Sequence, residues 1–397
     1  MISGTIAPRV AIPECADPAR EGGVRIGVIT RSANGYGGTE VQLLQMVERW
    51  RAEGHRVVGL AGASRWGGPA AQGFRTLPGR AFLFPWACVG EVERHLRDVD
   101  AVFLNGASLS SLVWGRALRR MGKPILTDVS GLRGFETGSF GRWPWPVRPW
   151  LRQRARSLGT YRAMTTYMRQ RLEEDGIDSA DVILIPLGVD LERFRPLEGG
   201  MLGERRDALG VGGHPLAVYA GRLSPEKGLE EALTAWRRVI GVKPRAQWWI
   251  LGEGPAQGRL RRVVRSLGLE GAVRFHGRTD DVAGILGAAD LMILPSRSEG
   301  CPNAILESFA CGVPVIARRI PALRDLIGRN ERGLLVPDLS AEALGEAIVG
   351  LLDRSDLRSK MSRAARAYVE AHHDIEAASG KVLAWLVSST RGERGAA

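Results

Sequence analysis

Short apolar segments alternate with helical stretches along most of the chain, and this alternation limits the possible folds more than any other feature. The segment "VRIGVIT" (24–30) precedes a glycine-rich loop and an amphipathic helix, and "LAVYAG" (216–221) restarts the same arrangement in the second half. Apolar strands that alternate with helices are typical of parallel sheets covered by helices on both faces. The pattern predicts an α/β fold.

A stretch rich in glycine and charged residues interrupts the alternation between residues 190 and 214, as an interdomain connection would. We therefore predict two Rossmann-like, doubly wound domains that face each other across a cleft. The expected divisions are a flexible extension (1–23), a first domain (24–195), a linker (196–213), a second domain (214–372), and a C-terminal helix that crosses back to the first domain, with a tail (373–397).

Composition narrows the class of protein. The 397 residues are 44% hydrophobic, and no apolar run reaches the length of a membrane-spanning helix. The four cysteines form no CxxC motif and no cluster with histidine, which predicts reduced thiols, a cytoplasmic protein and no bound metal. A net charge of +12 favours polyanionic partners, but no nucleic-acid motif accompanies it, so nucleic acid is not an expected partner.

Two carboxylates flank a turn in "LPSRSEGCPNAILESFACGVPVIA". Glu299 precedes the turn, where an acid can offset the dipole of the following helix. Glu307 lies inside that apolar helix, and a buried acid without a donor is costly. A bound vicinal diol, as in a ribose or hexose, would supply two donors to Glu307; an intrahelical or interdomain salt bridge is the structural alternative.

Cations and glycines follow other strands. Arg222 and Lys227 lie in "AGRLSPEKG" directly after a strand, where they suit a diphosphate or form an ordinary surface pair. Gly37 and Gly38 in "YGGTE" precede a helix, where they either admit an anion or only form a tight turn. A glycine loop in one domain opposite two cations and two acids in the other suits a nucleotide diphosphate sugar lying across the cleft.

Two further expectations are local. Thr39 and Gln42 have the spacing of a capping box at the start of the first helix. His276 in "FHGRTDD" is expected to be a hydrogen-bonded histidine at a strand end, with a catalytic histidine as the alternative. The glycines of "LGEGP" (251–255) are expected to let the backbone approach a flat ring.

The motifs "GRLSPEKG", "ILGEGP", "VRFHGR", "SEGCPNAILESFACGVPVIA" and "GLLVPD", with "GGTE" and "IPLGVDLERFRP" in the first half, resemble the retaining glycosyltransferases of the GT-B fold, family 4 group. The resemblance covers roughly residues 24–370, and the pair Glu299 and Glu307 is its most specific element. It implies a retaining, metal-independent hexosyltransferase without a cofactor. The expected donor is a nucleotide diphosphate sugar, and the expected acceptor is a glycan or lipid-linked glycan of bacterial surface polysaccharide, lipopolysaccharide or glycolipid biosynthesis.

The resemblance also implies roles for individual residues. Arg222, Lys227 and Glu299 would be catalytic: the two cations would hold the diphosphate and stabilise the leaving group, and Glu299 would hold the hexose. Glu307 would bind the ribose diol. The other implied donor-binding residues are Gly37 and Gly38 near the phosphates, Gly221 in the cation loop, Arg278 near the base, Pro302, Asn303 and Ala304 near the sugar, and Ile305 near the ribose.

The first half departs from the family pattern at one position. Where many members have a histidine beside the transferred sugar, "LTDVSG" has Ser130, with Asp128 two residues before it. A serine can bond to a sugar hydroxyl but carries no positive charge. Ser130 and Asp128 are therefore candidates for the sugar or acceptor side of the cleft.

A basic, aromatic segment follows (135–156), with five arginines and three tryptophans between Arg142 and Arg156. This composition suits the interface of an anionic membrane and predicts peripheral association with the inner face of the cytoplasmic membrane; a packed loop with solvated arginines is the alternative. Two other functions stay open at this point: a non-hydrolysing sugar-nucleotide epimerase or phosphorylase-like enzyme on the same scaffold, and a non-catalytic basic protein that binds membrane or nucleic acid.

Overall fold

A computed structural model describes residues 23–30, 33, 38–62, 73–78, 85–107, 109–129, 158–337 and 340–391. It contains two parallel sheets, one in each half of the chain. Helices lie between the strands in sequence, as the alternation predicts. The α/β architecture with two doubly wound units is confirmed.

The first sheet has seven strands in the order β3-β2-β1-β4-β5-β6-β7. β1 lies in the middle, where Ile26 is paired in parallel register with Val57 of β2 and Ala101 of β4. Strands covered on both faces are almost wholly apolar, which explains their continuous hydrophobic runs. The strands are β1 (Arg25–Thr30), β2 (Arg56–Gly62), β3 (Phe74–Leu77), β4 (Ala101–Asn105), β5 (Ile125–Asp128), β6 (Thr160–Ala163) and β7 (Val182–Leu184).

The second sheet has six strands in the order β10-β9-β8-β11-β12-β13. The order reverses between β8 and β11, and in open α/β sheets ligands bind at the carboxyl ends of strands beside such a switch point. The strands are β8 (Leu216–Ala220), β9 (Gln247–Leu251), β10 (Val273–Gly277), β11 (Leu291–Leu294), β12 (Val315–Arg318) and β13 (Gly333–Val336).

The helices of the described residues cover both sheets. In the first half they are α1 (Gly38–Ala52), α2 (Val89–His95), α3 (Leu109–Arg120) and α4 (Thr166–Glu174). After it come α5 (Gly200–Ala208), α6 (Leu229–Val242), α7 (Gln257–Ser266), α8 (Val282–Gly287), α9 (Asn303–Ala310), α10 (Arg324–Ile327), α11 (Ala341–Asp353), α12 (Ser355–His372) and α13 (Ile375–Thr390).

The connection between the sheets contains a helix, α5, that the sequence pattern does not reveal. None of its residues is buried, so it has no apolar stripe for the helical period to detect. Arginine side chains attach it to the second half: Arg206 donates to the carbonyl oxygen of Ala288 at 2.6 Å, and Arg205 pairs with Asp281. The predicted linker (196–213) therefore contains a helix that the sequence pattern does not show.

The predicted capping box at the start of α1 is also wrong. The helix begins at Gly38, so Thr39 lies inside it. The Gln42 side-chain amide donates instead to the carbonyl oxygen of Gly188, which lies 146 positions away in the connection. Gln42 therefore ties α1 to the segment that links the two sheets.

The last helix, α13, packs against the first half of the chain. Its residues Val382 and Leu386 are buried in one cluster with Ile26 and Val28 of β1. The Trp50 indole donates to the carbonyl oxygen of Ser379 at 3.4 Å. The C-terminal segment thus completes the core around the first sheet.

Candidate active site

Two loops meet at the carboxyl ends of β8 and β11. Lys227, in the loop after β8, places its Nζ 2.7 Å from Oε1 of Glu299, in the loop after β11. The backbone joins the same loops, because the Arg297 N–H donates to the carbonyl oxygen of Glu226 at 2.9 Å. The Glu299 side chain is only 9% exposed and that of Lys227 21%, so the pair is largely shielded from water.

Arg222 lies in the same loop as Lys227 and is exposed. Among the described residues its guanidinium has no hydrogen-bond or ion-pair partner. The loop itself is fixed, since the buried Tyr219 hydroxyl donates to the carbonyl oxygen of Arg222 at 2.9 Å. A fixed loop therefore holds one paired cation and one cation available to an anionic ligand.

Glycines bring the loops after β8 and β9 together. Gly221 has a φ of +152°, and a Cβ on Gly252 would lie 2.0 Å from the Gly221 carbonyl oxygen. A Cβ on Gly254 would lie 2.2 Å from the carbonyl oxygen of Leu223. Gly252 and Gly254 are therefore needed for the close approach of the neighbouring loop, and their approach to a flat ring stays a prediction.

Glu307 lies two turns into α9 and is half-buried. Its carboxylate has no hydrogen bond or salt bridge to a described residue. Burial raises the pKa of Glu307 to about 7, and the positive charge of Arg193 partly opposes this rise. A half-buried carboxylate without a donor is the arrangement that the diol interpretation requires, and neither salt-bridge alternative is present among the described residues.

The start of α9 faces the glycine loop of the first half. Asn303, the first residue of α9, donates from Nδ2 to the carbonyl oxygen of Gly38 at 2.8 Å. A Cβ on Gly38 would lie 2.8 Å from the same nitrogen, so the contact needs a glycine there. The two halves therefore touch at the start of α9, the helix that contains Glu307. Gly37 lies outside the described residues.

The other predicted donor-binding residues have different environments. Pro302 and Ala304 are half-buried at the start of α9, with Pro302 as its N-cap. The Ile305 side chain is fully buried in the core, which leaves only its backbone to meet a ribose. Arg278 is exposed just after β10.

His276, at the end of β10, differs from its expectation. Its Nδ1 is buried and bonds to no described residue, so this nitrogen is not hydrogen-bonded as the sequence predicts. Its ring lies 5.9 Å from that of Trp249, centroid to centroid. The segment between the two sheets also contacts this region, because Arg193 donates to the carbonyl oxygen of Asp280 at 2.8 Å.

Asp128 ends β5 in the first half, but it is buried rather than open to a cleft. Its Oδ2 lies 3.5 Å from Nη1 of Arg162, which is fully buried, and its Oδ1 bonds to no described residue. Burial raises the pKa of Asp128 to about 6, against the opposing effect of Arg162. Asp128 is thus part of an internal ion pair, which corrects its assignment to the sugar or acceptor side; Ser130 lies outside the described residues.

Sequence reasoning did not identify Arg162 or Arg193. Arg162 stands in the apolar stretch "TYRAM", and an arginine in a buried strand was an available signal. Its guanidinium also donates to the carbonyl oxygens of Ile185 at 3.0 Å and Pro186 at 2.7 Å. Arg193 lies within "IPLGVDLERFRP", which carries part of the family resemblance and was the available signal, but the sequence alone assigned it no role.

Two negative findings concern the described residues only. They contain no helix long and apolar enough to cross a bilayer. They contain no group of three or more histidine, cysteine, aspartate or glutamate side chains placed to hold a metal ion. The basic, aromatic segment 135–156 lies outside them, so its predicted contact with a membrane stays a prediction.

Comparison with known proteins identifies the class. The family model for Glycosyl transferases group 1 matches residues 204–368, and that for Glycosyltransferase Family 4 matches residues 36–193. The crystal structure of Anabaena Alr3699/HepE in complex with UDP and glucose superposes with a TM-score of 0.77 at 18% identity, over 92% of this chain and all of that one. The fold and the site together define a GT-B glycosyltransferase.

Curated relatives narrow this to a family. A GDP-mannose-dependent monoacylated α-(1-6)-phosphatidylinositol monomannoside mannosyltransferase of Corynebacterium glutamicum is 30% identical over 309 residues, 74% of this chain and 78% of that protein. A GDP-mannose-dependent α-(1-6)-phosphatidylinositol monomannoside mannosyltransferase of Mycobacterium tuberculosis is 29% identical, over 73% of this chain and 76% of that protein. The chain belongs to the group 1 glycosyltransferases of family 4, as the sequence motifs predict, and neither alternative function receives support.

Proposed function

We propose that this glycosyltransferase moves a hexose from a nucleotide diphosphate sugar to a glycolipid acceptor with retention of anomeric configuration, and that GDP-mannose is the donor. The observation that carries the proposal is the joining of Lys227 and Glu299 at the switch point of the second sheet, with the unbonded Glu307 eight positions further on. The two mannosyltransferase relatives support the choice of donor and acceptor.

Donor binding rearranges the lysine pair in this mechanism. The diphosphate takes the place of Glu299 as the partner of Lys227, and Arg222 supplies a second cation that has no competing partner among the described residues. Each charged hydrogen bond of this kind contributes about 1.5–3 kcal/mol. Glu299 is then free to accept hydrogen bonds from hexose hydroxyls.

Glu307 binds the ribose in the same complex. A carboxylate that accepts from both hydroxyls of a diol replaces the donors that the buried group lacks. The start of α9, with its free N–H groups, lies next to the sugar and favours negative charge there.

The transfer step follows from this placement. The bond between the anomeric carbon and the diphosphate oxygen breaks as Lys227 and Arg222 stabilise the charge that develops on the leaving group. An oxygen of the leaving phosphate takes the proton of the acceptor hydroxyl, which attacks from the same face, so the configuration is retained. The two cations provide the charge stabilisation, and we propose that the reaction needs no metal ion or cofactor.

The acceptor assignment also gives an expected location. A glycolipid acceptor is presented at a bilayer surface, and we propose that the enzyme works at the inner face of the cytoplasmic membrane. The mannosyltransferase relatives, whose names specify phosphatidylinositol mannosides, support this placement.

Donor identity is tested by thermal unfolding with GDP-mannose, GDP, UDP-glucose and UDP. A ligand at 100 times its dissociation constant adds about 2.7 kcal/mol of stability, which a melting curve resolves. GDP-mannose should give the largest shift, and transfer of radiolabelled mannose to extracted glycolipid should follow in the presence of EDTA. A larger shift with the uridine compounds contradicts the donor assignment, and loss of transfer in EDTA contradicts the metal-independent step.

A further inference from the structure

A second cavity lies beside the candidate donor site. It has a volume of about 650 Å³ and lies between the carboxyl end of β12 and the turn that leads into β13. β12 is the parallel neighbour of β11, whose following loop carries Glu299. Arg319, which lines the cavity and directly follows β12, therefore lies at the same carboxyl end of the sheet as Glu299. None of the predicted donor-binding residues that the structure describes lines it.

Three arginines dominate its lining: Arg319, Arg324 and Arg329. All three are exposed. Arg324 and Arg329 have no side-chain hydrogen bond or ion pair to any described residue, and Arg319 makes one long hydrogen bond, of 3.4 Å, to the carbonyl oxygen of Leu335. Planar guanidinium groups that converge on one cavity match the geometry of a phosphate group.

The two carboxylates at the cavity already have partners. Asp325 accepts a hydrogen bond from the hydroxyl of Thr166, the first residue of α4 in the other half of the chain. Glu331 pairs with Arg332, with 3.1 Å between Oε2 and Nη1. The positive charge of the three lining arginines therefore exceeds the remaining negative charge.

Internal bonds hold the walls in place. Arg332 donates to the carbonyl oxygens of Leu326 at 2.6 Å and Asp325 at 2.9 Å, and its guanidinium lies 4.0 Å from the centre of the Tyr368 ring. Asn330 has a φ of +63° and accepts at Oδ1 from the Leu335 N–H at 3.3 Å. The arginines thus project from a fixed frame.

We propose that this cavity is an anion subsite that takes a phosphate group, in the form of the phosphodiester of an anionic glycolipid. The identity of the phosphodiester as part of the acceptor rests on the proposed function, whereas the affinity for phosphate does not. The contact between Asp325 and Thr166 places the cavity where the two halves meet, so an anchored headgroup lies next to the edge at which transfer takes place.

The test compares two double variants that lose the same charge. Arg324→Gln with Arg329→Gln removes the two lining arginines that bond to no described residue. Arg237→Gln with Arg262→Gln removes two exposed arginines of α6 and α7 that do not line the cavity. The probes are glycerophosphoinositol, a soluble phosphodiester, measured by calorimetry, and phosphatidylcholine vesicles with or without phosphatidylinositol, measured by co-sedimentation. GDP affinity is measured on the same proteins.

The cavity variant should lose about tenfold or more in affinity for the probe while the control keeps wild-type affinity. If the cavity variant loses affinity for glycerophosphoinositol, the site binds a phosphodiester in solution. If it loses affinity only for the vesicles, the site binds a headgroup in a bilayer. Both results support the subsite. An equal loss of probe affinity in the two double variants, or no binding of either probe by the wild type, overturns the proposed subsite. A fall in GDP affinity of the cavity variant also overturns it as a separate subsite. Because GDP and the probes are measured separately, failure of the subsite is distinguishable from failure of the proposed donor.

Discussion

Lys227 and Glu299 come from loops that are 72 positions apart, yet their side chains meet at 2.7 Å in a largely shielded pair. The pair joins the loop after β8 to the loop after β11 across the switch point of the second sheet. In the free protein, the Lys227 ammonium and the Glu299 carboxylate are each other's ion-pair partner. A donor diphosphate therefore competes for a lysine that is already positioned.

Replacing Lys227 tests this competition directly. Lys227→Ala should lower kcat/KM for sugar transfer by about 100-fold or more, because the leaving group loses a cation that acts in the transition state. The variant should also lose some stability, since Glu299 keeps its shielded carboxylate without its partner. Steady-state kinetics and urea unfolding measure the two effects.

Lys243→Ala is the matched control for that experiment. Lys243 pairs with Asp353 at the far end of α6, outside the site, and both side chains are more exposed than those of the first pair. Its removal should leave kcat/KM unchanged. Near-wild-type transfer by Lys227→Ala would exclude a catalytic role for the lysine.

Replacing Glu307 should raise the stability of the free protein but weaken donor binding. Because burial raises the pKa of Glu307, the ionised form is disfavoured in the free protein, and Glu307→Gln should make the free protein more stable at neutral pH. The same change should weaken GDP-mannose binding about tenfold or more, since an amide accepts from a diol less strongly than a carboxylate. Glu346→Gln, at an exposed position of α11, should change neither quantity. Tight donor binding by Glu307→Gln would argue against the ribose assignment.

The pH dependence of donor binding follows from the same group. With a pKa of about 7 in the free protein, Glu307 is mainly ionised at pH 8 and mainly protonated at pH 6. Hydroxyl donors favour the ionised form, so affinity for GDP-mannose should fall about tenfold between pH 8 and pH 6. The phosphates of a sugar nucleotide do not titrate in this range. The affinity of Glu307→Gln for GDP-mannose should not change between pH 8 and pH 6. If this variant shows the same pH dependence as the wild type, another group causes it.

The sequence predicts the fold class because its strands are continuous apolar runs with helices between them. It also marks Lys227 and Glu299 through charge in loops that follow strands, and Glu307 as an acid inside an apolar helix. It does not predict which partner each charge takes, because that depends on contacts far apart in the chain. Gln42 bonds to Gly188 instead of capping its helix, and Asp128 pairs with Arg162 inside the first half. Helix α5 escapes notice because it buries no residue and so has no hydrophobic period.

The contact between Gly38 and Asn303 can be tested by a rescue experiment. Gly38→Ala places a methyl group 2.8 Å from the Asn303 amide nitrogen, which must shift and weaken the hydrogen bond between the halves. Transfer should fall by about three- to tenfold, as expected for one exposed hydrogen bond. Adding Asn303→Ala removes the clashing amide, because only its Cβ remains, at an ordinary 3.5 Å. The double variant should therefore be no worse than Asn303→Ala alone; additive losses would show that the two residues act separately.

The buried pair of Asp128 and Arg162 should respond unequally to loss of each partner. Arg162→Met removes the hydrogen bonds to Ile185 and Pro186 and leaves a buried carboxylate without a counterion, which should cost about 3–5 kcal/mol. Asp128→Asn should cost less than Arg162→Met at neutral pH, because burial raises the pKa of Asp128 to about 6 and so disfavours its ionised form, and the amide oxygen of Asn can still accept from Arg162. Because the pKa of Asp128 is higher in the folded than in the unfolded protein, the contribution of Asp128 to stability should fall as pH rises from about 4 to 6, and Asp128→Asn should remove this pH-dependent contribution. Urea unfolding across this pH range measures both effects; equal destabilisation by the two substitutions at neutral pH would show that the carboxylate is stabilised in its charged form.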